Sequence, residues 1–184
     1  MSFSRHEIKA LSRLTFPILA TQLAQIGMGT IDTLMSGYVS TRDLAAVAIG
    51  TSFWTPVWLF LAGVLVALSP MTARLNAAAR GADLPHLLAA ALWLGLVAGF
   101  LAGGFLYAMA QLLGAWVDDP ETASIAAAYL TAIAVGMPGA GVFLAYRFYA
   151  EALDQASHVT LVMLGGLLLN IPVNALFVYG GLGI

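Results

Sequence analysis

The sequence predicts an all-helical, polytopic membrane protein with five membrane-spanning helices. Of its 184 residues, 61% are hydrophobic and only 9% are charged, whereas charged residues make up about a quarter of an ordinary soluble domain. The apolar residues occur in long blocks separated by short polar connections, which is the pattern of a polytopic membrane protein. The lipid bilayer is therefore its expected environment.

Five apolar blocks are long enough to cross a bilayer, and polar or helix-breaking residues bound each of them. The expected spans are about 14–38, 44–73, 87–113, 124–149 and 158–179. Residues 1–184 are predicted to form one transmembrane unit, because no linker, internal repeat or low-complexity segment interrupts them.

Helix starts, stops and bends are marked by a few residue types. Ser40 is available to cap the second span. In the connection before the third span, Gly81 is expected to end a helix and Pro85 to begin the next one. Pro17 is expected in the first turn of the first span, where a missing N–H costs little. Pro70 is expected to kink the second span, as is Pro56.

Small residues in the third span predict close packing against a neighbouring helix. Gly95, Gly99 and Gly103 are spaced four apart and therefore line one helix face.

The distribution of basic residues predicts the orientation. Five spans place residues 1–13 and the connections 74–86 and 147–158 on one side, together with six of the seven Lys and Arg residues. Only Arg42 lies on the other side. Because basic connections stay in the cytoplasm, the N-terminus is expected to be cytoplasmic.

Asp32 is the acid that lies deepest in any apolar run of the chain. A carboxylate inside a membrane span costs roughly 2.5–3.5 kcal/mol on insertion scales, which favours a functional role over chance. Counting along the helices places Asp32 about 27 Å into the first span, with Asn170 and Asn174 about 18 and 24 Å into the fifth. Pro172 between these amides frees a further carbonyl and is expected to bend its helix. These groups are predicted to form one protonatable, hydrogen-bonded site.

The remaining polar residues indicate structural roles. Arg147 and Glu151 are spaced for an ion pair at the end of the fourth span. The three histidines fall at the ends of spans, and the acidic connection 116–122 is expected to be solvated. With no cysteine in the chain and no nucleophilic triad, phosphate loop or metal-ligand cluster, we expect neither an enzyme nor a metal or cofactor site. The net charge of −2 does not favour a nucleic-acid partner.

Three stretches of the sequence are distinctive as motifs. They are QLAQIGMGTIDTLMSG at 22–37, DLAAVA at 43–48 and LLLNIPVNALFVYG at 167–180. They resemble the multidrug and toxic compound extrusion (MATE) transporters, specifically the bacterial NorM-like branch. The resemblance runs through nearly the whole chain, and it is most specific in the first and fifth spans.

The resemblance implies an antiporter that exports small cationic or amphipathic drugs in exchange for H⁺ or Na⁺. It implies that Asp32 is the cation-coupling residue and that Asn170 and Asn174 complete its polar site. It also implies bending of the first helix near Pro17. Some branches carry an acid where this chain has Asn174, so Asp32 is the only carboxylate expected in this site.

MATE transporters have twelve spans in two six-helix lobes, whereas five spans are expected here. The chain is therefore expected to be the N-terminal lobe of a MATE-type helical bundle in a bacterial inner (plasma) membrane. The sixth span and the second lobe are absent from it, and it is expected to need that lobe or another copy to form a full transporter. Two alternatives remain. A lipid-linked-precursor flippase of related fold is disfavoured because no Lys or Arg lies deep in a span, and a non-transporting assembly subunit would not depend on Asp32.

Overall fold

The computed structural model describes the backbone of residues 5–178, together with all side chains in that range except those of residues 5–14, 39, 174 and 176–178. Over this range the chain forms α-helices and one 3₁₀ turn, with no strand. The helices are α1 (Arg5–Val39), α2 (Thr41–Leu65), α3 (Leu68–Ala77), α4 (Leu84–Trp116), α5 (Pro120–Ala152) and α6 (Ala156–Val178), and the 3₁₀ turn is Gly81–Asp83. The predicted all-α fold is confirmed.

Several helices have the length and composition of membrane spans. Among the described residues, four segments qualify: Thr41–Ala77, Gly81–Trp116, Pro120–Ala152 and Ala156–Val173. The polar residues Gln22, Gln25 and Asp32 lower the mean hydropathy of α1, which is the longest helix. Large apolar side chains face outward, including Phe60 (75% exposed), Leu101 (71%) and Val135 (79%). Such a surface is suited to lipid tails, and the chain is a polytopic membrane protein.

The first helix is longer than the predicted span. It begins at Arg5, so Pro17 lies in the interior of α1 and not in its first turn. The residues before Leu14 are mostly good helix formers and contain no glycine or proline, which accounts for the earlier start. The helix is continuous through Pro17, as α6 is through Pro172. The predicted end of the fifth span at Tyr179 lies outside the described residues.

The second predicted span is divided into α2 and α3. Ser40 caps α2, as predicted, by accepting a hydrogen bond from the Asp43 backbone N–H at 3.0 Å. The division lies at Val66 and Ala67, because Pro70 has no N–H to offer the Val66 carbonyl. That carbonyl instead accepts from the Ser69 N–H at 3.1 Å. The helix therefore breaks one turn before Pro70, whereas α2 continues through Pro56.

Helices α4 and α5 form the closest pair, and the predicted packing role of the α4 glycines is confirmed. A Cβ atom added at Gly99 would lie 2.5 Å from the Met137 carbonyl oxygen, and one at Gly103 would lie 2.5 Å from the Ala134 carbonyl oxygen. These distances are too short for any side chain, so the two backbones approach each other only because α4 carries glycine at these positions.

Helix α5 lies at the centre, with α2, α3, α4 and α6 packed around it. The core between these helices contains Leu61, Leu106, Leu130 and Leu144, all almost fully buried. Helix α1 packs mainly along α6 and secondarily on α2. We call the end at which α1 begins the N-terminal face, and the end holding the α1–α2 and α4–α5 connections the opposite face.

Candidate ion-coupling site

The candidate site lies where α1 and α6 run side by side. The side-chain amide of Asn170 donates a hydrogen bond from Nδ2 to Oδ1 of Asp32 at 3.1 Å. Both side chains are half-buried. The structure therefore brings together two of the three polar residues that the sequence placed at one depth.

An apolar contact between α1 and α6 lies next to the polar pair. Gly27 faces Leu167, and a Cβ atom added at Gly27 would lie 3.6 Å from Leu167 Cδ1, which is ordinary van der Waals contact. Leu167 precedes Asn170 by about one helical turn on α6. The two helices are therefore in contact at Gly27 as well as at Asp32.

Asn170 retains an unused acceptor. Its Oδ1 atom is buried and has no hydrogen-bond partner among the described residues. A buried polar atom without a partner costs about 1–3 kcal/mol, so it favours binding a proton donor or a cation. Carboxylate and amide oxygens are also ligands that hard cations accept. The described residues contain no group of three or more His, Asp or Glu side chains that could hold a metal ion.

The hydroxyl groups near Asp32 are already used within α1. Ser36 donates to the Asp32 carbonyl at 2.8 Å, and Thr33 donates to the Gly29 carbonyl at 2.8 Å. Hydroxyl groups that bond the carbonyl four residues earlier are occupied by their own helix. The candidate ligand oxygens of the Asp32–Asn170 pair are therefore those of the carboxylate and the amide.

The other predicted site residues lie on the same two helices. Asn174 is one turn beyond Asn170 on α6, and its side chain lies outside the described residues. Pro172 is between them, and Pro17 is near the start of the apolar part of α1. Bending at Pro17 and Pro172 stays a prediction.

A second polar contact between α1 and α6 was missed in the sequence. The hydroxyls of Thr21 and Thr160 are buried and lie 3.0 Å apart. Both approach the Pro17 carbonyl oxygen, at 3.0 Å from Thr21 and 2.8 Å from Thr160. The four-residue spacing from Pro17 to Thr21 indicates that the Thr21 hydroxyl can bond the Pro17 carbonyl. No local pattern in the sequence indicates that Thr160 on α6 bonds the same carbonyl.

The predicted ion pair on α5 is confirmed and lies near the N-terminal face. Arg147 donates from Nε to Glu151 Oε1 at 2.8 Å. It also donates from Nη2 to Gln22 Oε1 on α1 at 2.8 Å, which the sequence did not indicate. His86 and His158 are exposed, as predicted, and the side chain of His6 lies outside the described residues.

The acids of the connection at the opposite face are exposed, as predicted, and some of them also make specific contacts. Asp119 caps α5 by accepting from the Thr122 N–H at 3.1 Å, and it pairs with Arg42 in the first turn of α2 at 3.2 Å. Arg42 also bonds Glu121. The pKa of Asp119 is lowered, first by the hydrogen bond from the Thr122 hydroxyl, then by that from the Thr122 N–H, with a smaller contribution from Arg42.

An apolar cavity of about 400 Å³ opens between α2 and α4. It contains no charged residue and none of the residues of α1 or α6. Its lining is Pro56, Val57, Phe60, Leu61, Val64, Ala98, Leu101, Ala102 and Phe105. It is therefore separate from the Asp32–Asn170 pair.

The chain is similar to bacterial proteins named for multidrug resistance. It is 39% identical over 178 residues to the multidrug resistance protein MdtK of Edwardsiella ictaluri, and 38% identical over 178 residues to the MdtK of Yersinia pestis (strain Pestoides F). It is 37% identical over 176 residues to the probable multidrug resistance protein NorM of Acinetobacter baylyi. Each match covers 96% of this chain but 39% of the relative, so the chain spans about two fifths of the length of these curated relatives.

No solved structure matches the chain. The family model described as MatE matches residues 17–176, a range that includes Asp32, Asn170 and Asn174. With a match over most of its length, the chain belongs to the MatE family.

Proposed function

We propose that this chain is the N-terminal lobe of an efflux antiporter that exports small cationic or amphipathic compounds in exchange for H⁺ or Na⁺. The observation that carries the proposal is the hydrogen bond between Asp32 and Asn170, an acid and an amide paired between two long helices of a membrane protein. The names of the relatives, multidrug resistance proteins, support the class of substrate.

The pair is suited to exchange of a cation. Ionised Asp32 accepts the Asn170 N–H, and a proton or Na⁺ that reaches the carboxylate competes with that N–H for the same oxygens. The free Oδ1 of Asn170 can then turn toward the new proton or ion. Occupancy of Asp32 is thereby linked to the contact between α1 and α6, and such linkage is what coupling to transport requires.

The cellular setting follows from the same arguments. We propose a bacterial inner membrane, in keeping with the bacterial relatives, and a cytoplasmic N-terminus, because the basic connections lie on the N-terminal face. We also propose that transport needs a second lobe or another copy of the chain, since the relatives are more than twice as long. The activity is transport without chemical conversion of the substrate.

Efflux of a cationic dye from cells that express the complete gene product tests this function. We expect the Asp32→Asn variant to lose energised efflux, because an amide cannot bind and release a proton and binds a cation weakly. Asp118→Asn is the matched control, because Asp118 is exposed in the α4–α5 connection. Normal efflux by Asp32→Asn, at equal amounts of protein in the membrane, would refute the proposed role of Asp32.

A further inference from the structure

Arg147 is a buried charge that the coupling site does not use. It is 8% exposed, and it is the only Lys, Arg, Asp or Glu buried among the described side chains. Burying a guanidinium is costly unless its N–H groups are bonded and its charge is paired. Glu151 supplies the charge from the same helix, and Gln22 supplies a neutral acceptor from α1.

Two neighbouring residues of α1 form hydrogen bonds to two different helices. Thr21 contacts Thr160 on α6, whereas Gln22 contacts Arg147 on α5. The attachment to α6 is repeated further along α1 at Gly27 and at Asp32. By contrast, the described residues of α1 and α5 are joined by a single side-chain hydrogen bond, the one from Arg147 to Gln22. Helices α1 and α6 are therefore bound to each other more firmly than α1 is bound to α5.

We propose that the Gln22–Arg147 hydrogen bond is a reversible latch, and that α1 and α6 move away from α5 as one unit when it opens. Opening leaves the charge of Arg147 paired, because its ion pair with Glu151 lies within α5. The movement then has to disrupt the packing of α6 on α5 and of α1 on α2. The Gln22 side chain is exposed, so its amide can bond other partners once the bond to Arg147 opens. Arg147 and Gln22 act as positioning residues in this account.

The effect of the latch on transport rests on the proposed function. Gln22 lies about 15 Å along α1 from Asp32. A movement of α1 and α6 together carries the Asp32–Asn170 pair with it and leaves their hydrogen bond intact. The latch thus controls where the coupling site lies relative to α5 without altering the site itself.

Distances between spin labels test the movement without reference to transport. Exposed Leu19 on α1 is labelled through an introduced cysteine together with exposed Tyr146 on α5 or exposed Leu161 on α6. These 184 residues contain no cysteine, and any cysteine elsewhere in the complete gene product is replaced first. In the complete gene product, we expect Gln22→Ala to broaden or lengthen the distance from 19 to 146 and to leave that from 19 to 161 unchanged. Unchanged distances in both pairs, or separation of 19 from 161, would overturn the proposal.

A second variant separates a latch from a purely structural contact. Gln22→Glu replaces the neutral acceptor with a carboxylate and converts the charge-assisted hydrogen bond to Arg147 into an ion pair. We expect the melting temperature to rise while dye-transport turnover falls about three- to tenfold. Gln25→Glu is the control, since it adds the same charge to α1 one turn further along. Wild-type turnover in Gln22→Glu would show that the bond is only structural.

The two proposals fail in different experiments. If Asp32→Asn transports normally, the coupling role is wrong, yet the label distances still report whether α1 and α6 move as one unit. If Asp32→Asn is inactive and the label distances do not respond to Gln22→Ala, the latch is wrong and the coupling role stands.

Discussion

Asn170 gives Asp32 a neutral hydrogen-bond donor in place of a permanent cation. A Lys or Arg at this position would pair permanently with the carboxylate, whereas a neutral amide donates a hydrogen bond from which a cation can displace it. Under the proposed function, the loss of Asn170 is expected to affect coupling more than folding.

Asn170→Ala is expected to reduce gradient-driven transport by roughly tenfold or more, because hydrogen bonds to charged groups contribute about 1.5–3 kcal/mol. The melting temperature is expected to change little, since the same substitution removes the buried Oδ1 that has no partner among the described residues. Dye transport in reconstituted vesicles measures the effect. Leu169→Ala, at the exposed neighbouring position, is the control. Equal transport by both variants would argue against a role for the amide.

For individual residues, the sequence indicated their depth in the membrane but not which side chains of other helices they contact. Counting residues along two helices placed Asp32 and Asn170 in the same half of the membrane, and the structure joins them at 3.1 Å. The bonds from Thr21 to Thr160 and from Gln22 to Arg147 join residues far apart in the chain. No local pattern identifies such partners, because they depend on which helices are neighbours.

At the scale of the helices, glycine on α4 determines the closest packing in the bundle. Gly99→Ala is expected to lower the melting temperature, because its Cβ would lie 2.5 Å from the Met137 carbonyl oxygen and 2.7 Å from Pro138 Cα. Overpacking of this kind costs about 1–3 kcal/mol.

Gly104→Ala on the same helix is the matched control for Gly99→Ala. Apart from its own stretch of helix, no atom of the described residues lies within 4 Å of the position that its Cβ would take. The substitution is expected to be neutral or slightly stabilising, because alanine is favoured over glycine in helices by about 1 kcal/mol. Thermal unfolding of the two variants in the same detergent makes the comparison. Equal destabilisation by both would mean that contact with α5 is not the cause.

The helices themselves were largely predictable from hydropathy and from their caps. Ser40 caps α2 as expected, and Pro85 lies in the first turn of α4. The preceding helix ends at Ala77, before Gly81, which begins the 3₁₀ turn. The break at Val66 and Ala67 was displaced from Pro70 because the missing N–H affects the carbonyl one turn earlier. The start of α1 at Arg5 was missed because hydropathy marks the membrane-spanning part of a helix and not its polar extension.

At the scale of the molecule, charges join two helices at the opposite face. Arg42 in the first turn of α2 pairs with Asp119 and Glu121, and so links α2 to the start of α5. The pKa of Asp119 in the folded chain lies below its ordinary value of 3.8. A carboxyl group with a lowered pKa contributes stability above its ordinary pKa and loses it as the pH falls through the folded value.

The melting temperature is therefore expected to fall as the pH drops below about 4, and to fall less in Asp119→Asn. Asp118→Asn is expected to follow the wild type, because Asp118 is not the residue that caps α5. Thermal unfolding between neutral and acidic pH makes the measurement. Identical pH dependence in the wild type and Asp119→Asn would assign the acid sensitivity to other groups.

We propose that Asp32, paired with Asn170, couples an ion gradient to export. Uptake of a cationic dye into vesicles that contain the complete gene product, under an imposed H⁺ or Na⁺ gradient, tests this claim. The wild type is expected to accumulate dye with one of these gradients, and Asp32→Asn with neither, while dye still binds the variant. Accumulation by Asp32→Asn at the wild-type level would contradict the claim.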